Sequence, residues 1–166
     1  MLPKIGHFAV YRAKKPLNTA HSQSGTPFAP TTSQMKRKIL IVEDDLDIVD
    51  LLQSQVKALG YDSIVAGNGK EAVDMATSQL PHLILMDIML PVMDGLDATR
   101  QIRQNPKISS IPIIAVTALS SRRDKEKCLR SGCDDYLSKP FTQFTRLQLS
   151  SRIEKLLKSR EKQQTA

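Results

Sequence analysis

From Lys38 onward, short apolar runs alternate with longer stretches in which apolar residues recur every three or four positions. The runs fall at Ile39 to Val42, Ser63 to Ala66, Leu83 to Met86, Pro112 to Val116 and Tyr136 to Leu137. They are nearly continuous in apolar character rather than alternating, the pattern of strands buried on both faces. The intervening spacing predicts helices. Ile48, Leu52, Val56 and Leu59 make the inward stripe of the first, which Gly60 ends as a C-terminal cap. Ala72, Val73 and Ala76 face inward on the second, and Leu96, Thr99 and Ile102 on the third. Cys128 and Leu129 do so on the fourth, and Ile153, Leu156 and Leu157 on the fifth, whose outer face carries Arg152, Glu154, Lys155 and Lys158.

Five such strands, each followed by a helix, predict an α/β fold with a parallel sheet covered on both faces. The right-handed crossover rule then favours the flavodoxin-like (βα)5 doubly wound sheet with strand order 2-1-3-4-5. Ligands of such sheets bind outside the carboxyl ends of the strands. Candidate chemistry is therefore sought there.

Charge changes the picture less than its total suggests. The net charge is +7, which on one folded face would point to nucleic acid. Residues 1 to 34, however, carry Lys4, Arg12, Lys14 and Lys15 with no acid, and residues 150 to 166 carry five bases and two acids. The segment between them balances, with 15 bases and 15 acids. Direct nucleic-acid binding loses most of its support. Residues 1 to 35 mix Pro, Ser, Thr, Gln and Lys without periodicity and read as a disordered basic extension. They suit an organelle transit peptide or an extension upstream of a start at Met35. The domain is expected over 36 to 158, followed by a short polar tail at 159 to 166. No apolar run is long enough to cross a bilayer, so a soluble chain without membrane contact is expected. Cys128 and Cys133 match no redox or zinc spacing and read as reduced packing residues in a cytoplasmic protein.

At the predicted strand ends stand Glu43, Asp44 and Asp45 after the first, Asp87 after the third, Thr117 after the fourth, and Ser138, Lys139 and Pro140 after the fifth. Read singly, each acid is accounted for by a solvated loop. Jointly they are not. Three aspartates at one edge repel one another unless a cation lies among them, and oxygen donors without His or Cys select a hard ion such as Mg²⁺. Lys139 adds a movable positive charge, and Thr117 adds a hydroxyl. Together they form a cradle for a phosphoryl group with one carboxylate as its acceptor.

The segments "ILIVEDD", "LILMDIMLPVMDG", "IIAVTA" and "GCDDYLSKPF" occur in that order over residues 38 to 157. In sequence and spacing they resemble the receiver domain of two-component response regulators, of the stand-alone CheY-like type. The resemblance implies that Asp87 is the phosphoacceptor and that Asp45, Asp87 and the backbone carbonyl of Met89 hold Mg²⁺, with Asp44 assisting through water. It implies that Thr117 binds the phosphoryl oxygens and shifts, that Lys139 pairs with the phosphate, and that Tyr136 is the aromatic switch. The Lys139–Pro140 bond is expected to be cis. Cys133 departs from the family's usual small residue there. The phosphoryl donor implied is a phosphohistidine on a sensor histidine kinase or histidine phosphotransfer protein.

Such a module is a signalling protein rather than an enzyme with its own substrate, although it catalyses its own phosphoryl transfer. After the fifth helix "KSREKQQTA" offers no room for a DNA-reading output domain, so signalling through a downstream protein or by phosphorelay is expected. The expected output face joins the fourth helix, fifth strand and fifth helix. A phosphorylation-dependent homodimer is compatible with it, although Thr142-Gln143-Phe144-Thr145 departs from the family's acidic start of helix five. Arg122, Arg123, Lys125, Lys127 and Arg130 make the fourth helix basic. Two rivals remain: a Mg²⁺-dependent phosphohydrolase, against which Met89 stands where such enzymes place a second acid, and a non-phosphorylated adaptor, which has no need of the repulsive acids.

Overall fold

In a computed structural model, residues 36–164 are described. The predicted N-terminal extension lies outside them. The chain alternates β1 (Lys38–Val42), α1 (Leu46–Ala58), β2 (Asp62–Ala66), α2 (Gly69–Gln79), β3 (Leu83–Met86), α3 (Gly95–Gln104), β4 (Ile113–Thr117), α4 (Arg122–Arg130), β5 (Asp135–Ser138) and α5 (Gln143–Gln164). The five strands form one parallel sheet in the order β2-β1-β3-β4-β5, as the pattern predicts. The register sets Val42 beside Met86, and Met86 beside Ala115, so the carboxyl ends of β1, β3 and β4 reach one edge together.

Alternation along each strand divides the core in two. Leu40, Val42, Ile84, Met86, Ile113 and Ala115 pack beneath α2, α3 and α4, where Ala72, Ala98, Ile102 and Cys128 meet them. Ile39, Ile41, Leu83, Leu85, Ile114 and Val116 face Leu52 and Val56 of α1 and Leu149, Ile153 and Leu157 of α5. Both layers are apolar because helices cover both faces. The thiols of Cys128 and Cys133 are free and buried, and burial pushes the Cys133 thiol up to about 12. That is a packing role.

Several sequence expectations are corrected. In α1, Ile48 packs only half-buried against the cluster of Leu52 and Val56, and Val49 beside it is buried as well. Leu129 is 43 % exposed, so α4 buries Cys128 alone. Arg152 leaves the outer face of α5 to pair with Asp135 at the entry of β5. α5 itself runs to Gln164 through a Lys- and Gln-rich stretch of good helix formers.

Candidate functional site

The site is built where β1, β3, β4 and β5 stop. Glu43 follows β1 directly; its amide still donates to the Ala66 carbonyl at 3.0 Å, which keeps it in the sheet, and its side chain is buried. Asp87 follows β3 in the same way, its amide donating to the Val42 carbonyl at 2.9 Å. It is 5 % exposed. One carboxylate oxygen accepts from the amides of Ile88 and Met89, at 2.5 and 3.2 Å. The other accepts from the Lys139 ammonium at 2.8 Å, and the same ammonium donates to Glu43 at 2.7 Å. Lys139 is thereby shared between two buried acids.

Electrostatics follow from this sharing. Burial pushes the Glu43 carboxyl up from its ordinary value; the hydrogen bond from Lys139 opposes the shift and the charge of Asp87 adds to it. Burial by itself pulls the Lys139 ammonium down, but its hydrogen bonds and charge interactions with Asp87 and Glu43 outweigh that and leave it raised. Lys139 therefore stays charged throughout the neutral range.

Asp44 completes the cluster. Ligand oxygens of Glu43, Asp44 and Asp87 lie within 4.8 Å of one another. Asp45 does not belong to it. Its side chain is the N-cap of α1 and accepts from the amides of Asp47 and Ile48, at 2.9 and 3.4 Å. The expected acid set is thus corrected by one position: Glu43 and Asp44 join Asp87, while Asp45 starts a helix. The signal for Glu43 lay in its place immediately after Val42, the last apolar residue of the strand.

The loop after β3 is shaped by contacts that admit little variation. A Cβ on Gly95 would stand 1.9 Å from the Asp87 carbonyl oxygen. The Gly95 amide donates to the Ile88 carbonyl at 3.0 Å, closing the loop behind Asp87. Pro91 and Met93 are bridged by a 2.7 Å hydrogen bond across Val92, whose φ is 66°. A β-branched residue in that region is strained, and the amide of Gly69 at the start of α2 holds the loop by donating to the Met93 carbonyl at 3.0 Å. Asp94 then caps α3 through the Asp97 amide.

Thr117 closes β4 and is fully buried. Its hydroxyl accepts from the Leu119 amide at 3.4 Å, and the Tyr136 hydroxyl donates to the Leu119 carbonyl. Thr117 and Tyr136 therefore hold opposite sides of one residue. Burial pushes the Tyr136 phenol up, so it remains a donor. The Lys139–Pro140 bond is cis, as expected. Met89 is 61 % exposed beside the acidic cluster, its amide bound to Asp87.

A parallel sheet in this order, with buried acid, lysine and threonine at one edge, defines a class that comparison identifies. Residues 39–151 match the response regulator receiver domain, and the chain belongs to that family. It is 40 % identical over 108 residues to the polar-differentiation response regulator DivK of Brucella anthropi, covering 65 % of this chain and 88 % of DivK. It is 39 % identical over 127 residues to PhoP of Bacillus subtilis, the alkaline phosphatase synthesis transcriptional regulatory protein, covering 76 % of this chain. The match spans about half of PhoP, 51 % of its length. Among solved structures, the receiver domain of a sensor histidine kinase from Pseudomonas aeruginosa PAO1 superposes with a TM-score of 0.67 at 38 % identity, over 74 % of this chain and 98 % of that one. That receiver was crystallised with a magnesium ion coordinated in its active-site cleft. Among the described residues, no helix is long and apolar enough to cross a membrane.

Proposed function

We propose that this receiver accepts a phosphoryl group on Asp87 from a phosphohistidine of a sensor kinase or phosphotransfer protein, and passes the signal on in the cytoplasm by protein contact or phosphorelay. The observation that carries the reading is the Lys139 ammonium held between Glu43 and Asp87, with Asp44 beside them. A carboxylate oxygen of Asp87 forms the new bond to phosphorus as the bond to the imidazole nitrogen breaks, and the imidazole leaves. Lys139, already hydrogen-bonded to Asp87, neutralises charge on the transferred oxygens.

The donor set fits a hard dication, since Glu43, Asp44 and Asp87 offer only carboxylate oxygens. Asp44, Asp87 and the Met89 carbonyl would hold Mg²⁺, with Glu43 in support; when bound, the ion offsets the charge of the acids and of the phosphoryl group. After transfer, Thr117 turns its hydroxyl toward the phosphoryl oxygens and gives up the Leu119 amide. Tyr136, tied to the Leu119 carbonyl, is released with it. The face of α4, β5 and α5 then shifts between two populated arrangements.

Intact-mass measurement with a small phosphodonor and Mg²⁺ tests the reading. One phosphoryl group per chain is expected, lost on chelation and in Asp87→Asn. Labelling that persists in Asp87→Asn refutes the assignment, and many turnovers per chain would favour a phosphohydrolase.

A further inference from the structure

The exposed side of α4 carries more positive charge than its own two acids offset. Five of its nine residues are basic and all five are exposed. Of its two acids, Asp124 is committed to the capping box with Ser121. Glu126 is shared between Arg122 at 3.2 Å and Arg130 at 3.8 Å. Among the described residues, Arg123, Lys125 and Lys127 have neither an ion pair nor a side-chain hydrogen bond. Leu129, 43 % exposed, shares its face with Lys125 one turn back and Arg122 two turns back, with Glu126 beside it.

We propose that α4 docks an acidic segment of a target protein that places an apolar side chain on Leu129 and carboxylates on the flanking bases. Charge complementarity selects the sign of the partner, and the leucine selects its kind. A nucleic-acid backbone offers nothing to an exposed leucine. One apolar residue on a nine-residue helix buries too little area for a membrane surface. A two-fold dimer through α4 would bring like charges together. That the segment belongs to the signalling target rests on the proposed function; the charge argument does not.

The test uses the full chain and fluorescence anisotropy with a labelled Glu-rich peptide bearing one central leucine. The triple variant Arg122→Gln, Arg123→Gln, Lys125→Gln should weaken binding about tenfold or more, as should a rise in salt from about 0.05 to 0.3 M. Leu129→Ala should weaken it about fivefold, the loss expected from a partly buried leucine contact. Unchanged affinity in either variant overturns the proposal. So does tighter binding to a DNA duplex or to anionic vesicles, or self-association through α4 that the triple variant enhances. Phosphodonor labelling of the same variants is read in parallel. A chain that is never labelled sinks the phosphoacceptor reading while leaving the peptide result to stand or fall alone.

Discussion

Replacing Asp45 by Ala removes the acceptor for the Asp47 amide at 2.9 Å and for the Ile48 amide at 3.4 Å. The second contact is long, so one full capping bond is lost. An N-cap of this kind contributes about 1 kcal/mol. The negative charge at the helix start adds about 0.5 kcal/mol at a solvated position. Asp45→Ala should therefore destabilise the domain by about 1.5 kcal/mol, lowering Tm by roughly 4–8 °C for a domain of this size. Asp45→Asn keeps the acceptor and should lose only the charge part, about 0.5 kcal/mol. Neither substitution touches the cluster of Glu43, Asp44 and Asp87, so both variants should take up phosphate on Asp87 with the normal Mg²⁺ requirement. Asp44→Asn should behave in the opposite way: exposed, it should cost less than about 0.5 kcal/mol, yet raise the Mg²⁺ concentration needed for labelling. Thermal unfolding followed by circular dichroism, paired with intact-mass labelling across a Mg²⁺ series, measures both halves. A folded Asp45→Asn that fails to label, beside an Asp44→Asn that labels normally, would refute the division of roles.

Three further outcomes follow from the same geometry. Lys139→Gln leaves Glu43 and Asp87 buried without their shared cation, which should cost about 3 kcal/mol near neutral pH. Because the folded-state pKa of Glu43 is raised, the penalty should be absent below its unfolded value of 4.5 and grow as pH rises, which denaturant titrations at a pH series would detect; a pH-independent loss would contradict it. Gly95→Ala drives a methyl group into the Asp87 carbonyl, and with backbone on both sides it should destabilise by about 3 kcal/mol and abolish labelling; normal melting and labelling would show the loop to be looser than described. Val92→Gly removes a β-branched side chain from a positive φ without losing a buried contact, so its unfolding midpoint should match or exceed the parent's by up to about 1 kcal/mol; a clear fall would argue that the strain is absent.

Much of the fold was legible because its strands are buried on both sides. Ile39 to Val42 and Leu83 to Met86 are apolar at every position, and no half-exposed sheet tolerates that. Helix faces were harder. Helical spacing sets Leu129 inward beside Cys128, but α4 meets the sheet along a narrow stripe that Cys128 alone fills. Arg152 looked like part of a solvated face because nothing local shows that Asp135 of a neighbouring strand stands within reach.

The sequence alone determined that strands ending in acids, a threonine and a lysine meet at one edge, since the order of apolar runs dictates the topology and the topology dictates which ends converge. It did not determine which two of three consecutive acids gather beside Asp87. Glu43, Asp44 and Asp45 are equivalent until β1 meets β2 and β3: that pairing keeps Glu43 in the sheet and leaves Asp45 where a helix must begin. A strand end and a helix cap can lie two residues apart, and only the packed chain decides which carboxylate satisfies backbone amides and which faces the lysine.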